Sequence, residues 1–429
     1  MRLFTISILL FLSSAIFAQN FDWASQNSGV TEMLNDVFFI NNQTGWAVGN
    51  NGTILNTTNG GQTWSTQTSS ATQEIRAVFF IDANTGWAVG GATIRTMLKT
   101  TDGGATWLDL PANSITSNQM FDIAFFDANI GWVVTYDSIF RTIDGGNTWV
   151  NEGYDYTVIS PRNRAISVTS DTTAYIGGSR ETGVGLQRGA EVFYRNLSNS
   201  PIDWSNSGIN TYVTDDDFYS IEFSNSHVGY AGGTKGKLLR KTGIQPTDYW
   251  NSNFEIGEDL TIRAISFSNE NNGMFCASKT IASTNYTLVY HTIDNGDNWS
   301  TNPDSIPNLL QGVLHAPDTV NAWAVGANGN IFKGTRSFVG INEIGLSVDV
   351  NIYPNPSSNV INVNINSQIK ELINYTLTDI SGRIIEKGNW NLGGSTSIFT
   401  VNVFEYSNGV YFLNIKTKEG KGTFRVLKK

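Results

Sequence analysis

A tryptophan-centred motif recurs along the chain at nearly regular intervals. The stretch Gly45-Trp46-Ala-Val-Gly is repeated from Gly86 and, in a related form, from Gly131. Weaker copies complete a set of seven anchors: Trp46, Trp87, Trp132, Tyr175, Tyr230, Met274 and Trp323. Their spacings, from 41 to 55 residues, suit four-stranded blades. The sequence therefore predicts an all-β chain with a seven-bladed β-propeller over residues 19–335.

Each copy repeats the same order of strands. A β-branched and aromatic run such as Val37-Phe38-Phe39 precedes the Gly-Trp strand, and a third strand such as Ile54-Leu55 follows it. Six copies have a tryptophan at the fourth strand: Trp64, Trp107, Trp149, Trp204, Trp250 and Trp299. Trp23, ahead of the first run, has the position of the missing seventh. We therefore expect the N-terminal strand to complete the last blade, which closes the ring and removes its exposed edges.

Composition agrees with this fold class and narrows the possible partners. Among 429 residues, 42 are Gly and 51 are Phe, Tyr or Trp, whereas only 15% are charged, which favours short strands and tight turns. A net charge of −10 argues against nucleic acid or an anionic membrane as a partner. Cys276 lies in an apolar run and is expected to be a buried, unreactive thiol. The three histidines lack metal-ligand spacing, and we expect neither a metal site nor a cofactor.

The N-terminus has the pattern of a secretory signal. Arg2 precedes an apolar run from Leu3 to Phe17, and small residues lead to Ala18. The run is shorter than the ~20 residues that a membrane-spanning helix needs. We expect residues 1–18 to be a signal peptide, cleaved after Ala18, and the mature chain to have no membrane span and to leave the cytoplasm through the periplasm.

A second motif marks turns between third and fourth strands. Asp102 and Asp144 each precede Gly-Gly and follow the third strand by two residues, and Asn59 and Asp294 centre two degenerate copies. Glycine permits positive φ there, and Asp or Asn can bond the turn's own backbone. These turns resemble the Asp-box of bacterial neuraminidase repeats. With the Gly-Trp motif, residues 21–338 resemble the photosystem II stability and assembly factor family of seven-bladed propellers. The resemblance implies that the four residues are structural rather than catalytic.

A new pattern begins after the repeats. Residues 336–347 have no blade motif and are expected to be a linker, and alternating strands over residues 348–429 predict a small immunoglobulin-like β-sandwich. Four motifs occur there in order: Tyr353-Pro-Asn-Pro356, Leu377-Thr-Asp379-Ile-Ser-Gly-Arg383, Ser407-Asn-Gly-Val-Tyr-Phe412 and Arg425-Val-Leu-Lys-Lys429. They resemble the type A C-terminal sorting domain of proteins exported by type IX secretion. The resemblance implies that residues 348–429 engage that machinery, so that the protein is secreted or held at the outer cell surface. The alternative is an ordinary accessory immunoglobulin-like module.

Propellers bind ligands around the central channel, where the innermost strands begin. Aligning those starts gives one residue for each blade: Asn35, Arg76, Phe121, Arg164, Tyr219, Arg263 and Gln311. The three arginines fall in blades 2, 4 and 6 and should point toward a common axis. Clustered guanidiniums suit a carboxylate, a phosphate or an acidic peptide end. We therefore expect Arg76, Arg164, Arg263, Tyr219 and Phe121 to bind a ligand.

The same residues also allow interpretations without a ligand-binding site. Glu74 adjoins Arg76, and Asp215-Asp216-Asp217 precedes Tyr219, so the arginines could instead pair with nearby acids. The Asp run lacks the regular ligand spacing of a cation loop and is expected to be a solvated turn. The photosystem factor family also carries arginines on one face of its propeller, and this resemblance favours recognition of a protein segment.

Three classes of function remain open. The leading hypothesis is an exported, non-catalytic recognition propeller, because no convincing catalytic constellation is present. The first alternative is a sialidase-like glycoside hydrolase, in which the three arginines would hold a carboxylate, Tyr219 would be the nucleophile and Glu222 its base. Sialidase propellers have six blades and this chain has seven repeats, which argues against it. The second alternative is a structural component of the cell surface.

Overall fold

A computed structural model describes most of the chain outside its N-terminal segment. The described residues are 20–111, 115, 117, 119–153, 162–182, 187–196, 204–206, 217–243, 248–281, 284–300, 304–307, 313–337, 349–366, 370–379, 383–394, 396–417 and 421–429. The expected signal peptide, residues 1–18, and most of the expected linker lie outside them. No helix in these ranges is long and apolar enough to cross a membrane. The predicted all-β fold is confirmed, since the regular structure of these ranges consists of strands and three short 3₁₀ turns.

Residues Asn20–Ser337 form one compact unit of four-stranded antiparallel sheets. The described ranges hold seven of them, which we number as blades 1 to 7. Listed from first to last hydrogen-bonded strand, they are β2 (Leu34–Phe39), β3 (Gly45–Gly49), β4 (Ile54–Thr57), β5 (Ser65–Thr66); β6 (Ile75–Phe80), β7 (Gly86–Gly91), β8 (Arg95–Thr100), β9 (Leu108–Asp109); β10 (Met120–Phe125), β11 (Gly131–Thr135), β12 (Ile139–Thr142), β13 (Val150–Asn151); β14 (Arg162–Val168), β15 (Thr173–Thr182), β16 (Gln187–Asn196), β17 (Trp204–Asn206); β18 (Phe218–Phe223), β19 (Val228–Gly233), β20 (Lys237–Thr242), β21 (Trp250–Glu255); β22 (Thr261–Phe267), β23 (Gly273–Ile281), β24 (Thr284–Thr292), β25 (Asp304–Pro307); and β26 (Val313–His315), β27 (Asn321–Val325), β28 (Ile331–Ser337), β1 (Asn20–Gln26).

The ring closes through both ends of this unit. The first strand of each blade contacts the first strand of the next, and β26 of blade 7 contacts β2 of blade 1. Strand β1 pairs with β28 over its whole length, from Asn20 opposite Ser337 to Gln26 opposite Ile331. This confirms the prediction that the N-terminal strand completes the last blade. Strand β28 continues two residues beyond the bound predicted at residue 335.

The repeated Gly-Trp pair has a packing explanation. Trp46 is fully buried and stacks on Phe80 of the next blade, with ring centroids 3.5 Å apart. Trp87 stacks in the same way on Phe125, at 3.6 Å. A β-carbon on Gly86 would lie 2.5 Å from the Phe80 ring, so only glycine leaves room for it. The motif therefore reflects ring stacking between neighbouring blades. Each stacked pair contributes about 0.5–1.5 kcal/mol in addition to the free energy of burying its apolar area.

The C-terminal region forms a second, separate unit. One sheet contains β29 (Asp349–Tyr353), β30 (Val360–Asn366) and β33 (Thr396–Asn402), and the other contains β32 (Ile384–Asn391), β31 (Leu372–Asp379), β34 (Gly409–Lys416) and β35 (Lys421–Lys428). Alternate residues of both sheets share one core, including Ile361, Val363, Leu377 and Leu413, all fully buried. Two antiparallel sheets around a common core make a β-sandwich, in agreement with the predicted immunoglobulin-like fold.

Candidate functional site

The innermost strands carry a β-bulge at the position that faces the channel axis. In blade 2 the pairing register shifts between Ile75 and Ala77 and leaves Arg76 between them. Equivalent shifts in the other blades isolate the remaining predicted residues: Asn35, Phe121, Arg164, Tyr219 and Arg263. A bulge turns one side chain away from the regular alternation of the strand. Gln311, the candidate in blade 7, lies outside the described residues.

These side chains line one cavity in the central channel. Its volume is about 410 Å³, and its lining includes Asn35, Arg76, Phe121, Arg164, Tyr219 and Arg263. All five residues predicted to bind a ligand are therefore neighbours in space, although they come from five different blades.

Arginines and aromatic rings alternate around this cavity. The Cζ atom of Arg76 lies 4.4 Å from the centre of the Phe121 ring, and that of Arg164 lies 5.0 Å from the same centre. The Tyr219 ring likewise lies 5.5 Å from Arg164 and 4.6 Å from Arg263. We call these five residues the arginine–aromatic arc. Cation–π contacts orient each guanidinium, so Phe121 and Tyr219 are better suited to positioning the arginines than to stacking on a ligand.

The three arginines differ in their acidic neighbours. Arg76 forms an ion pair with Glu74, whereas Arg164 lies 3.6 Å from Asp217, beyond good hydrogen-bond distance. Arg263 has no ion pair with any residue in the described ranges. Buried nitrogens of all three have no hydrogen-bond acceptor in this part of the chain: Arg76 Nη1, Arg164 Nε and Arg263 Nε. The arc therefore retains donors for an anionic ligand. Asp215 and Asp216 lie outside the described residues.

Two carboxyl groups that the sequence analysis did not identify lie beside the arc. Asp36 accepts the backbone N–H of Val37 at 2.8 Å and that of Val78, in the next blade, at 2.9 Å. Asp122 makes the same pair of bonds, to Ile123 in its own strand and to Ile166 in the next blade. Burial nevertheless raises the pKa of each carboxyl to about 7. These two carboxyls could have been found in the sequence. The residue that follows the axis-facing one is Asp in blades 1 and 3 but Ala in blades 2, 4 and 6.

Glu222 also lines the cavity, three residues beyond Tyr219 on β18. Burial, together with a smaller contribution from the Asp122 carboxyl, raises the pKa of this carboxyl to about 8. We call Asp36, Asp122 and Glu222 the channel carboxyls. His315 shares the cavity, and burial lowers the pKa of its imidazole to about 4, so it is neutral at pH 7. Its Nδ1 is 3.3 Å from the backbone nitrogen of Phe39, which donates to it.

The residues of the alternative hydrolase mechanism also lie in this cavity. Tyr219 and Glu222 are not joined by any hydrogen bond among the described residues, and the Tyr219 ring is flanked by two guanidiniums. The described ranges also contain no group of three or more His, Cys, Asp or Glu side chains that could hold a metal ion. Cys276 is fully buried, and burial raises the pKa of its thiol to about 12.

The Asp-box residues lie in turns away from the channel and bond those turns internally. Asp102 accepts the backbone N–H of Thr106 at 2.9 Å and the hydroxyl of Thr100 at 2.8 Å. Asp144, Asp294 and Asn59 accept the corresponding backbone N–H in their own turns. The turn also links neighbouring blades, because Trp46 Nε1 donates to the carbonyl of Gly103 at 3.1 Å. This geometry favours the structural role expected from the sequence.

In the C-terminal unit, the first motif bonds to the last one, and the second motif is bonded internally. Asn355 donates to the carbonyl of Arg425 at 2.7 Å and accepts the N–H of Leu427 at 2.8 Å. The first motif therefore holds the last strand, β35. Within the second motif, Asp379 accepts the backbone N–H of Arg383 at 3.1 Å and its Nε–H at 2.9 Å.

Comparison with known proteins agrees with both units. Residues 16–114 match the family model of the photosynthesis system II assembly factor YCF48, and residues 351–429 match that of the secretion system C-terminal sorting domain. No curated protein sequence matches the chain.

Several solved propellers are similar in fold. A structure of YCF48 bound to D1 peptide is 18% identical, with a TM-score of 0.54, and the match covers 73% of this chain and 97% of that one. YCF48 from Cyanidioschyzon merolae is 17% identical, with a TM-score of 0.53 and coverage of 72% and 98%. The structure of U3-55K is only 9% identical at a TM-score of 0.54, with coverage of 73% and 98%. These likenesses show the propeller fold, and the sorting domain implies export to the cell surface or secretion. The chain thus combines a YCF48-like propeller domain with a type IX secretion C-terminal sorting domain.

Proposed function

We propose that this protein is an exported, non-catalytic recognition propeller whose arginine–aromatic arc binds a carboxylate-bearing peptide or glycan. The observation that carries the proposal is the convergence of three arginines from alternate blades on one cavity, with buried guanidinium nitrogens that have no acceptor in the described residues. Guanidiniums held by aromatic rings are oriented before a ligand arrives, which lowers the entropic cost of binding. A YCF48 propeller has been solved with a bound D1 peptide, and this supports a peptide as one form of ligand for the same fold.

Binding of acidic peptides and acidic glycans to the full chain tests the proposal. The triple variant Arg76→Gln, Arg164→Gln and Arg263→Gln should abolish binding of any ligand that the wild type selects from such panels. Arg240→Gln is the matched control, because Arg240, on the third strand of blade 5, pairs with the exposed Asp297 and does not line the channel. Equal binding by the triple variant and the wild type would refute the arc as the site. Robust surface display without any ligand would instead support the structural role.

The hydrolase alternative makes a different prediction from the same cavity. Its supporting observation is that Tyr219 and Glu222 line the cavity together with the three arginines. Turnover of a sialoside or oligosaccharide panel that is abolished by Tyr219→Phe would establish it. If the wild type binds a ligand from this panel without hydrolysing it, and Tyr219→Phe still binds that ligand, the result supports recognition.

A further inference from the structure

The proposed function assigns no role to the carboxyl group of Glu222. It lines the cavity, and no hydrogen bond or ion pair links it to another described residue. Other residues at the same distance along their strands are apolar or small: Phe38, Phe79, Ala124, Ser167 and Ser266. By contrast, Asp36 and Asp122 each accept two backbone N–H groups and hold neighbouring blades together. Among the channel carboxyls, Glu222 is therefore the one whose oxygens have no bonded partner in the described part of the chain and can serve a ligand.

The position of Glu222 sets a distance from the arginine–aromatic arc. It lies three residues beyond Tyr219 on the same strand, and a strand rises about 3.3 Å per residue, so the two levels are about 10 Å apart. The cavity of about 410 Å³ includes both levels. One extended ligand can therefore contact the arginines with one end and Glu222 with the other.

We infer that the channel recognises a ligand carrying both an anionic group and a primary amine, with the carboxylate or similar anion on the arginine–aromatic arc and the ammonium on Glu222. This inference rests on the proposed function and adds the second half of the ligand. A lone carboxylate in this position is disfavoured by burial, and a bound ammonium would compensate that cost through charge-assisted hydrogen bonds. Burial raises the pKa of Glu222 to about 8, so the free channel holds this carboxyl largely protonated at pH 7, and binding of an ammonium there would release the proton. Such a ligand is a peptide in which an N-terminal amine or a lysine side chain precedes an acidic group.

Straight-chain ω-amino acids test whether the ligand needs an amine and how far that amine must lie from the carboxylate. We would titrate the full chain by calorimetry with the series from 6-aminohexanoate to 10-aminodecanoate, and with octanoate and octanedioate as matched probes. The expected result is an optimum near 8-aminooctanoate, which should bind about tenfold more tightly than octanoate. Octanedioate should bind no better than octanoate, because its second carboxylate brings no positive charge to Glu222 and is repelled by this carboxyl when it ionises.

Variants at Glu222 separate the inference from the function on which it rests. Glu222→Gln should reduce the affinity for 8-aminooctanoate to that for octanoate, and Glu222→Asp should shift the optimum to a longer chain. The inference is wrong, and the proposed function stands, if octanoate binds through the arginines and 8-aminooctanoate binds no more tightly. The same holds if 8-aminooctanoate still binds more tightly than octanoate to Glu222→Gln. If neither octanoate nor 8-aminooctanoate binds, the proposed function fails as well. It also fails if both bind the triple arginine variant as tightly as they bind the wild type. A follow-up with peptides bearing a free or an acetylated N-terminus distinguishes a terminal amine from a lysine side chain.

Discussion

Replacing Glu152 with alanine is expected to destabilise the propeller by about 3–5 kcal/mol. Glu152 follows the last strand of blade 3, and its Oε2 lies 2.7 Å from Nε of Arg195 on blade 4. The two side chains are only 3% and 2% exposed. Trp132, the anchor of blade 3, donates its indole N–H to the same carboxylate oxygen at 3.3 Å. The alanine variant would leave the Arg195 charge buried without its partner, and that cost dominates the expected loss.

The loss can be converted into a melting temperature. At about 2.1 cal/mol/K per residue, the unfolding entropy of the unit Asn20–Ser337 is about 0.7 kcal/mol/K, so 3–5 kcal/mol corresponds to a decrease of about 4–7 °C. Differential scanning calorimetry of the full chain measures this shift directly. Urea denaturation followed by tryptophan fluorescence gives the free energy of unfolding independently.

Two further variants test the physical reason for the effect. Asp297→Ala removes the partner of Arg240, but Asp297 is 66% exposed, so we expect a change of about 0–1 kcal/mol. The double variant Glu152→Met with Arg195→Met should recover much of the stability lost in Glu152→Ala, because it removes both buried charges. The reasoning is wrong if Glu152→Ala costs no more than Asp297→Ala, or if the double variant is less stable than the single one.

Two other predictions concern the ring closure and the channel. Deleting Asn20–Gln26 should lower the melting temperature of the propeller sharply, since seven residue pairs with β28 and the buried Phe21 ring are lost; a calorimetric scan that matches the wild type would contradict this. The channel carboxyls have folded-state pKa values raised to about 7, 7 and 8, so the native chain holds protons that the unfolded chain has already released. Their stabilising contribution is fully present below the ordinary carboxyl pKa and is lost as the pH rises to the folded-state values, so stability should fall from about pH 4 to about pH 8 and level off above that. Glu222→Gln should flatten the upper part of that decline in urea titrations, whereas an unchanged slope would show that Glu222 does not hold its proton.

Much of the candidate site could be predicted from the position of single residues within the repeat. Arg76, Arg164 and Arg263 follow the same strand start in three blades, and this alignment is enough to direct them toward one axis. The roles of Phe121 and Tyr219 needed the structure, because alignment placed them in the ring without showing that their faces are covered by guanidiniums. Asp36 and Asp122 were missed for a related reason, since their partners are backbone groups of the next blade.

The amino-acid sequence by itself determined the repeat, the strand order within each blade, the closure by the N-terminal strand and the motifs of the sorting domain. These features depend on local patterns: glycine beside an anchor ring, alternation along a strand, and turns that require Asp and Gly. Only the tertiary structure decided which side chains share a cavity, which charges are paired and which pKa values shift. Those properties depend on groups that are far apart in the chain, such as Glu152 and Arg195, and on burial that no single repeat contains.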